Sequence, residues 1–283
     1  MNMPTVNVPV FIDRIERKYQ LGVNNSEVAD LWRDIGSVLA PYWMAPVQEI
    51  TSVGSVYFDN KDYDLLRYSL DDRLFLVRLR AYELYGRPPQ AISEYWVEVK
   101  TASNERRSKR RLRLSKNQLT VFVSGGEASQ AVIEQNRHDH APEDFIKLYR
   151  ETQESITTMG LRPFVLIVYK RVAFQNENER LSIDWDVKYY KVSNEVYDFS
   201  SWKDPIIPAF GQAGAVILEL KYLQGGLPAW LGELQRRYPI RERECLKTLE
   251  AMGILFHGEL EHHHRAEYFR PRIDAYMAES QFV

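Results

Sequence analysis

The chain has 283 residues, 45% hydrophobic and 27% charged, enough apolar side chain to bury a core without disulfide staples. Its one cysteine, Cys245, excludes an internal disulfide and fits a reducing compartment. The net charge of −2 gives no sign of a polyanion partner. Apolar runs such as Phe164–Val168 are far too short for a membrane span, and Met1–Val10 lacks the regions of a signal peptide. The expectation is a soluble, cytoplasmic chain with no membrane segment.

The elements follow from two periods. Residues i and i+2 share a strand face, whereas spacings of three and four mark a helix. Arg14, Glu16 and Lys18 predict a first, charged strand face. Val28, Leu31, Trp32, Ile35, Val38 and Leu39 follow a helical period, with cap candidates at Asn24 to Ser26 and a stop at Pro41. Val53–Phe58 reads as a more apolar strand. Leu76, Arg78, Arg80 and Tyr82 share the next face, opposite Phe75, Val77 and Leu79; Trp96, Glu98 and Lys100 alternate with Tyr95, Val97 and Val99. The basic run 105–116 reads as a solvated loop or a guide for a polyanion, and nucleic-acid binding is the less expected use. Gly125–Gly126 marks a turn, and Pro142–Met159 a helix ended by Gly160.

In the second half, Tyr169 and Arg171 lie opposite Val168 and Val172. Arg180, Ser182, Asp184, Asp186 and Lys188 alternate with Leu181, Ile183, Trp185 and Val187. Ile217, Glu219 and Lys221 alternate with Val216, Leu218 and Leu220. A turn at Gly225–Gly226 precedes helices over Trp230–Tyr238, Glu242–Met252 and His264–Met277, the last containing Pro271. Without repeats or linkers, one domain over 1–283 is expected.

The polar strand faces carry nine bases (Arg14, Lys18, Arg78, Arg80, Lys100, Arg171, Arg180, Lys188, Lys221) against five acids (Glu16, Glu98, Asp184, Asp186, Glu219), in a chain that is acidic on average. A solvated sheet is one reading. The other closes the sheet with these faces inward and helices over its apolar outside. Such an interior must hold water and a highly charged ligand, because unpaired buried charge is costly. Phosphate chains suit it: Arg forks onto two oxygens and Lys adds a point charge. The minority carboxylates then suit a hard divalent cation that also binds phosphate.

The ordered set Arg14-x-Glu16-x-Lys18-Tyr19, Tyr57-Phe58-Asp59, Arg78-x-Arg80, Glu98-x-Lys100, Lys109-Arg110-Arg111, Tyr169-x-Arg171, Arg180-x-x-Ile183-Asp184 and Glu219-x-Lys221 resembles the VTC domain, the polyphosphate-polymerase branch of the triphosphate tunnel metalloenzymes, over roughly residues 10–245. The resemblance implies an α+β fold: a closed, eight-stranded antiparallel β-barrel with helices outside, and a C-terminal helical extension over 246–283. It implies phosphate binding by Lys18, Arg78, Arg80, Lys100, Arg171, Arg180 and Lys221, and an entrance lined by Lys109, Arg110 and Arg111. Glu219 would be the main ligand of a divalent metal, Mn or Mg. Glu16 and Glu98 are either secondary ligands or salt-bridge partners of neighbouring bases, and Asp184 bonds within the sheet.

The wider superfamily begins Glu-x-Glu-x-Lys; Arg14 replaces the first Glu here, as in the VTC branch. The family's late Ser-Lys pair is replaced by Ile240-Arg241-Glu242-Arg243-Glu244-Cys245, with Arg243 standing in for the lysine. The implied activity is polyphosphate synthesis from a nucleoside triphosphate held among Arg78, Arg80, Arg171 and Arg180. Alternatives are a triphosphatase acting on a small triphosphate, and a non-catalytic module that binds polyphosphate or inositol phosphates. His262, His263 and His264 point in different directions if helical and make a poor metal site, and Cys245 reads as structural.

Overall fold

In the computed structural model, which describes residues 14–23, 28–46, 50–71, 73–84, 94–103, 106–192, 209–223, 226–244 and 246–278, the period-two segments are strands and the helical periods are helices. Cys245, the cap candidates Asn24 to Ser26 and Gly225 lie outside the described residues. In chain order the elements are β1 (Arg14–Leu21), α1 (Val28–Leu39), β2 (Ala45–Pro46), β3 (Thr51–Asp59), α2 (Asp64–Leu70), β4 (Leu74–Leu84), β5 (Tyr95–Ser103) and β6 (Arg106–Leu114). There follow α3 (Lys116–Val123), α4 (Gln130–Asn136), α5 (Pro142–Thr158), β7 (Arg162–Gln175), β8 (Glu179–Lys191), β9 (Gly211–Ala213), β10 (Val216–Leu223), α6 (Ala229–Arg237), β11 (Ile240–Glu242), α7 (Lys247–Phe256) and α8 (Ala266–Ala278). No helix among the described residues is long and apolar enough to cross a membrane.

Local chemistry explains most boundaries. Pro41 ends α1 by starting a 3-10 turn over Ala40–Tyr42, and Gly160, at φ +61°, terminates α5 where a side chain would be strained. Ser115 and Gln118 form a reciprocal capping box that starts α3. Two expectations change. The basic run is not a loop: it is β6, paired with β5 from Tyr95↔Leu114 to Ser103↔Arg106, with Leu112 and Leu114 buried. The helix expected from Glu242 begins only at Lys247, because Ile240, Arg241 and Glu242 pair with Leu21, Gln20 and Tyr19.

The expected closed eight-stranded barrel is not what forms. Among the described residues, eleven strands make an open antiparallel sheet in the order β11-β1-β10-β8-β7-β3-β4-β5-β6, with β2 on β7 and β9 on β8. Closure would require the terminal strands β11 and β6 to pair, and the outer edge of β6 is already occupied. At one end β11 covers β1, and the Arg243 amide donates to the Lys18 carbonyl. At the other, the carboxamide of Asn136 accepts from the Arg113 amide and donates to the Arg113 carbonyl, both at 2.8 Å, while His140 Nε2 meets the Arg111 carbonyl at 2.7 Å. A helix thus takes the edge bonds that another strand would otherwise make.

The chain divides into two compact units: Met1–Thr51, Lys170–Asp186 and Gly214–Cys245 form the first, and Ser52–Tyr169, Val187–Ala213 and Leu246–Val283 the second. In the first, the apolar side of β1, β8 and β10 (Tyr19, Leu181, Ile183, Leu218, Leu220) packs with Ile35 and Leu39 of α1 and Trp230 and Leu234 of α6. In the second, Val77, Leu79, Val97, Val99, Leu112 and Leu114 pack with Leu119 and Phe122 of α3 and Phe145 and Leu148 of α5. Helices therefore cover the apolar face in each unit. Helices α7 and α8 form a further apolar cluster around Met252, Phe256, Phe269 and Ile273.

Candidate functional site on two charged sheet faces

In the second unit, the register on β4, β5 and β6 is Leu76↔Lys100↔Lys109, Arg78↔Glu98↔Arg111 and Arg80↔Trp96↔Arg113. Cross-strand partners share a face, so six bases lie on the face of Glu98, whose carboxylate is 1% exposed. Arg78 Nε donates to Glu98 Oε2 at 2.6 Å, Arg80 Nη1 lies 3.7 Å from the same oxygen, and Lys109 Nζ lies 2.5 Å from Oε1. The guanidiniums are held from behind. Arg78 Nη1 donates to the Tyr57 hydroxyl at 3.1 Å; Arg80 donates to Ser55 Oγ at 2.9 Å and to the Tyr169 hydroxyl at 3.2 Å. Lys247, at the start of α7, places its Nζ 4.6 Å from the Tyr169 ring centre.

Arg78 and Arg80 are 7% and 5% exposed. With Lys109 they set three positive charges against one carboxylate. Burial alone pushes the Glu98 carboxyl up, but Arg78, Arg80 and Lys109 outweigh it and hold it well below the usual carboxylate range. Tyr57 shows the same surplus: burial raises its hydroxyl, yet Arg78, Arg80 and Lys247 bring it below the ordinary tyrosine value. Beyond Glu98, Arg80 bonds the neutral oxygens of Ser55 and Tyr169, so an incoming anion is favoured there.

In the first unit the register is Glu16↔Lys221↔Arg180 and Lys18↔Glu219↔Ser182. Arg171 forks onto Asp184, Nε to Oδ1 at 2.5 Å and Nη2 to Oδ2 at 2.7 Å, and its Nη2 lies 3.7 Å from Glu219 Oε2. Lys221 pairs with Glu219 and lies 3.5 Å from Glu16 Oε2. Burial lowers the Lys221 ammonium, and Glu219 and Glu16 more than restore it, leaving it above its usual value. Lys18 pairs with Glu244 at 2.8 Å. Lys18, Arg171 and Lys221 are thus matched by Glu16, Asp184, Glu219 and Glu244, whereas Arg78, Arg80 and Lys109 share the one carboxylate of Glu98.

The expected site residues separate accordingly. Lys18, Arg171, Arg180, Lys221, Glu16 and Glu219 share the balanced face; Arg78, Arg80, Lys100, Lys109, Arg111 and Glu98 share the basic one. Arg110 is on the opposite side of β6 and pairs with Glu151 of α5 at 3.0 Å, so Lys109, Arg110 and Arg111 do not act as one group. Arg243 is buried and donates to Gln20 Oε1 at 3.2 Å. Asp186 breaks the regular backbone of β8: at φ +53° it adopts a left-handed conformation, and it pairs with Lys170 at 2.9 Å.

Glu219 and Glu16 converge on one ammonium and fit a two-carboxylate site for a hard cation completed by phosphate and water. Glu98 fits less well: three bases, Arg78, Arg80 and Lys109, hold it at 1% exposure, whereas two, Lys221 and Arg171, face Glu219 at 17%. No three His, Cys, Asp or Glu side chains gather as a metal cage among the described residues. His263 and His264 instead bond Lys61 and Asp62. Two further residues of the basic face, Ser55 and Lys247, carry no site signal in the sequence. Ser55 sits in a strand read as apolar, and Lys247 reaches Tyr169 only through the placement of a helix start.

A family model described as the VTC domain matches residues 13–245. Among curated proteins, the chain is 28% identical over 156 residues to vacuolar transporter chaperone complex subunit 4 of Trypanosoma brucei brucei, covering 48% of this chain and 19% of that protein. It is 25% identical over 170 residues to the subunit of the same name from Schizosaccharomyces pombe, covering 55% and 23%. The chain therefore spans less than a quarter of the length of these relatives. Similar solved structures include a putative adenylyl cyclase from Hippeastrum, described as having a dominant triphosphatase activity (TM-score 0.46, 12% identity, 84% of this chain and 95% of that one), and a putative adenylate cyclase from Bacillus halodurans (0.43, 12%, 84% and 96%). Because the family match covers most of its length, the chain belongs to the VTC domain family.

Proposed function

We propose that this protein binds a chain of phosphates and transfers a phosphoryl group, making polyphosphate from a nucleoside triphosphate. The observation that carries this reading is the buried cationic surplus of Arg78, Arg80 and Lys109 around Glu98. Membership of the VTC family supports it. The two guanidiniums, positioned in advance by Tyr57, Ser55 and Tyr169, would stabilise charge spread over the transferring group without reorganising. A phosphate end is itself the acceptor, so no general base is required. Glu219 and Glu16 would hold a divalent cation, Mn or Mg, which when bound neutralises phosphate oxygens.

Hydrolysis of a small triphosphate is the second reading. Its support is the Lys109 side chain, which is 43% exposed at the rim of the cluster and lets water reach the same phosphate. Incubation with ATP and Mn²⁺, scored for long polyphosphate and free phosphate, separates the two. Polyphosphate supports synthesis, and free phosphate alone supports hydrolysis. Binding without turnover would overturn both and leave a module that senses polyphosphate or inositol phosphates. The Glu219→Ala chain is expected to lose about a hundredfold in metal-stimulated turnover, and an unchanged rate would remove Glu219 from the metal site.

A further inference from the structure

One step along the basic face from the Arg78–Glu98 pair, the surface turns aromatic. Trp96 is half-buried on the Glu98 side of β5, between Arg80 and Arg113 in register. The Arg111 guanidinium carbon lies 4.3 Å from the Trp96 ring centre and that of Arg113 lies 5.9 Å away. Tyr82, two residues beyond Arg80, is 42% exposed, with the Arg80 guanidinium 6.0 Å from its ring. Neither Trp96 nor Tyr82 belongs to an apolar cluster of this unit. A large indole on a charged face, outside any core, lacks the usual packing reason for a tryptophan.

Its position supplies a reason. At about 3.4 Å per residue, Trp96 stands about 7 Å from the Glu98 level and about 14 Å from the Lys100–Lys109 level. A nucleoside triphosphate with its phosphates at Arg78 and Arg80 on β4 and its base turned across β5 toward β6 reaches the Trp96–Arg111 pair, two strand spacings or about 10 Å away. We infer that the Trp96–Arg111 stack is the nucleobase platform of the substrate: the base lies on the outer face of the Arg111 guanidinium, extending the indole–guanidinium stack. Arg111 is well placed for this, because its side chain is 43% exposed and bonds at its far end, to Asp139 at 3.4 Å. Stacking on an Arg plane or an indole reads the π-face that every base has, so ATP and GTP should bind about equally.

This inference rests on the phosphate-binding reading, and the test keeps the two apart. Isothermal titration of the full chain with ATP and with inorganic tripolyphosphate, without divalent metal, gives an affinity ratio for each variant. The wild type is expected to prefer ATP; Trp96→Leu should lower the ATP-to-tripolyphosphate ratio about tenfold, and Trp96→Phe should keep most of it. An unchanged ratio in Trp96→Leu, or a parallel loss of both ligands that leaves the ratio intact, would overturn the platform while the phosphate reading stands. A wild type that binds neither ligand would sink the phosphate reading and the platform with it.

Discussion

Glu98 and Asp59 are both buried carboxylates, yet their surroundings push them in opposite directions. Glu98 is held ionised by three bases. Removing it in Glu98→Ala leaves Arg78 and Arg80 buried without a counter-charge and is expected to cost about 3–5 kcal/mol in urea unfolding, with part of the loss recovered by added tripolyphosphate. Its folded pKa lies below the unfolded one, so its contribution is present above the unfolded value and is lost as pH falls through the folded one. Asp59 accepts from the amides of Asn60, Leu65 and Leu66 at the start of α2. Burial outweighs those bonds and pushes its carboxyl to about 6. Here the folded value is the higher one, so its contribution is complete below pH 4 and falls away as pH rises through 6. Urea midpoints measured between pH 4 and 7 should therefore decline, and Asp59→Asn should flatten the decline. A slope that survives the substitution would place its origin elsewhere.

Single elements decide whether the sheet closes. The outer edge of β6 is covered by Asn136, a buried carboxamide that also donates to the Val132 carbonyl at 2.9 Å. Asn136→Leu keeps the volume but leaves the Arg113 amide and carbonyl without those bonds. The expected cost is about 1–3 kcal/mol, read as a lower melting temperature, with concentration-dependent self-association in sedimentation as the opened edge recruits a second chain. Monomeric behaviour at unchanged stability would show that Asn136 is not what protects this edge. Lys and Arg dominate β6, so from sequence it reads as a solvated loop or a guide for a polyanion. Its strand signal was confined to Leu112 and Leu114, too short an alternation to outweigh the charge. The short β11 carried even less signal: three residues become a strand only because β1 offers an edge.

Across the whole molecule, charge is sorted rather than balanced. A net charge of −2 excludes strong attraction to anions on average, yet the face around Glu98 concentrates a cationic surplus. Affinity for tripolyphosphate should therefore fall severalfold as salt rises from about 0.05 to about 0.3 M; a salt-independent affinity would mean that the phosphates are not held by these bases. Much of this was legible in the residues themselves. Side chains two apart must share a strand face, so Arg78 with Arg80, Glu98 with Lys100 and Glu219 with Lys221 could be grouped before any coordinates, and the ordered motifs identified the family. What only the tertiary structure decided is which strand lies beside which and where pairing stops. It gave Glu98 to Lys109 and Arg78, turned Arg110 away from its neighbours, brought Lys247 to Tyr169 and left the sheet open. The alternation of side chains is set by each residue's own backbone, whereas edges and ion pairs depend on partners far along the chain that no local period encodes.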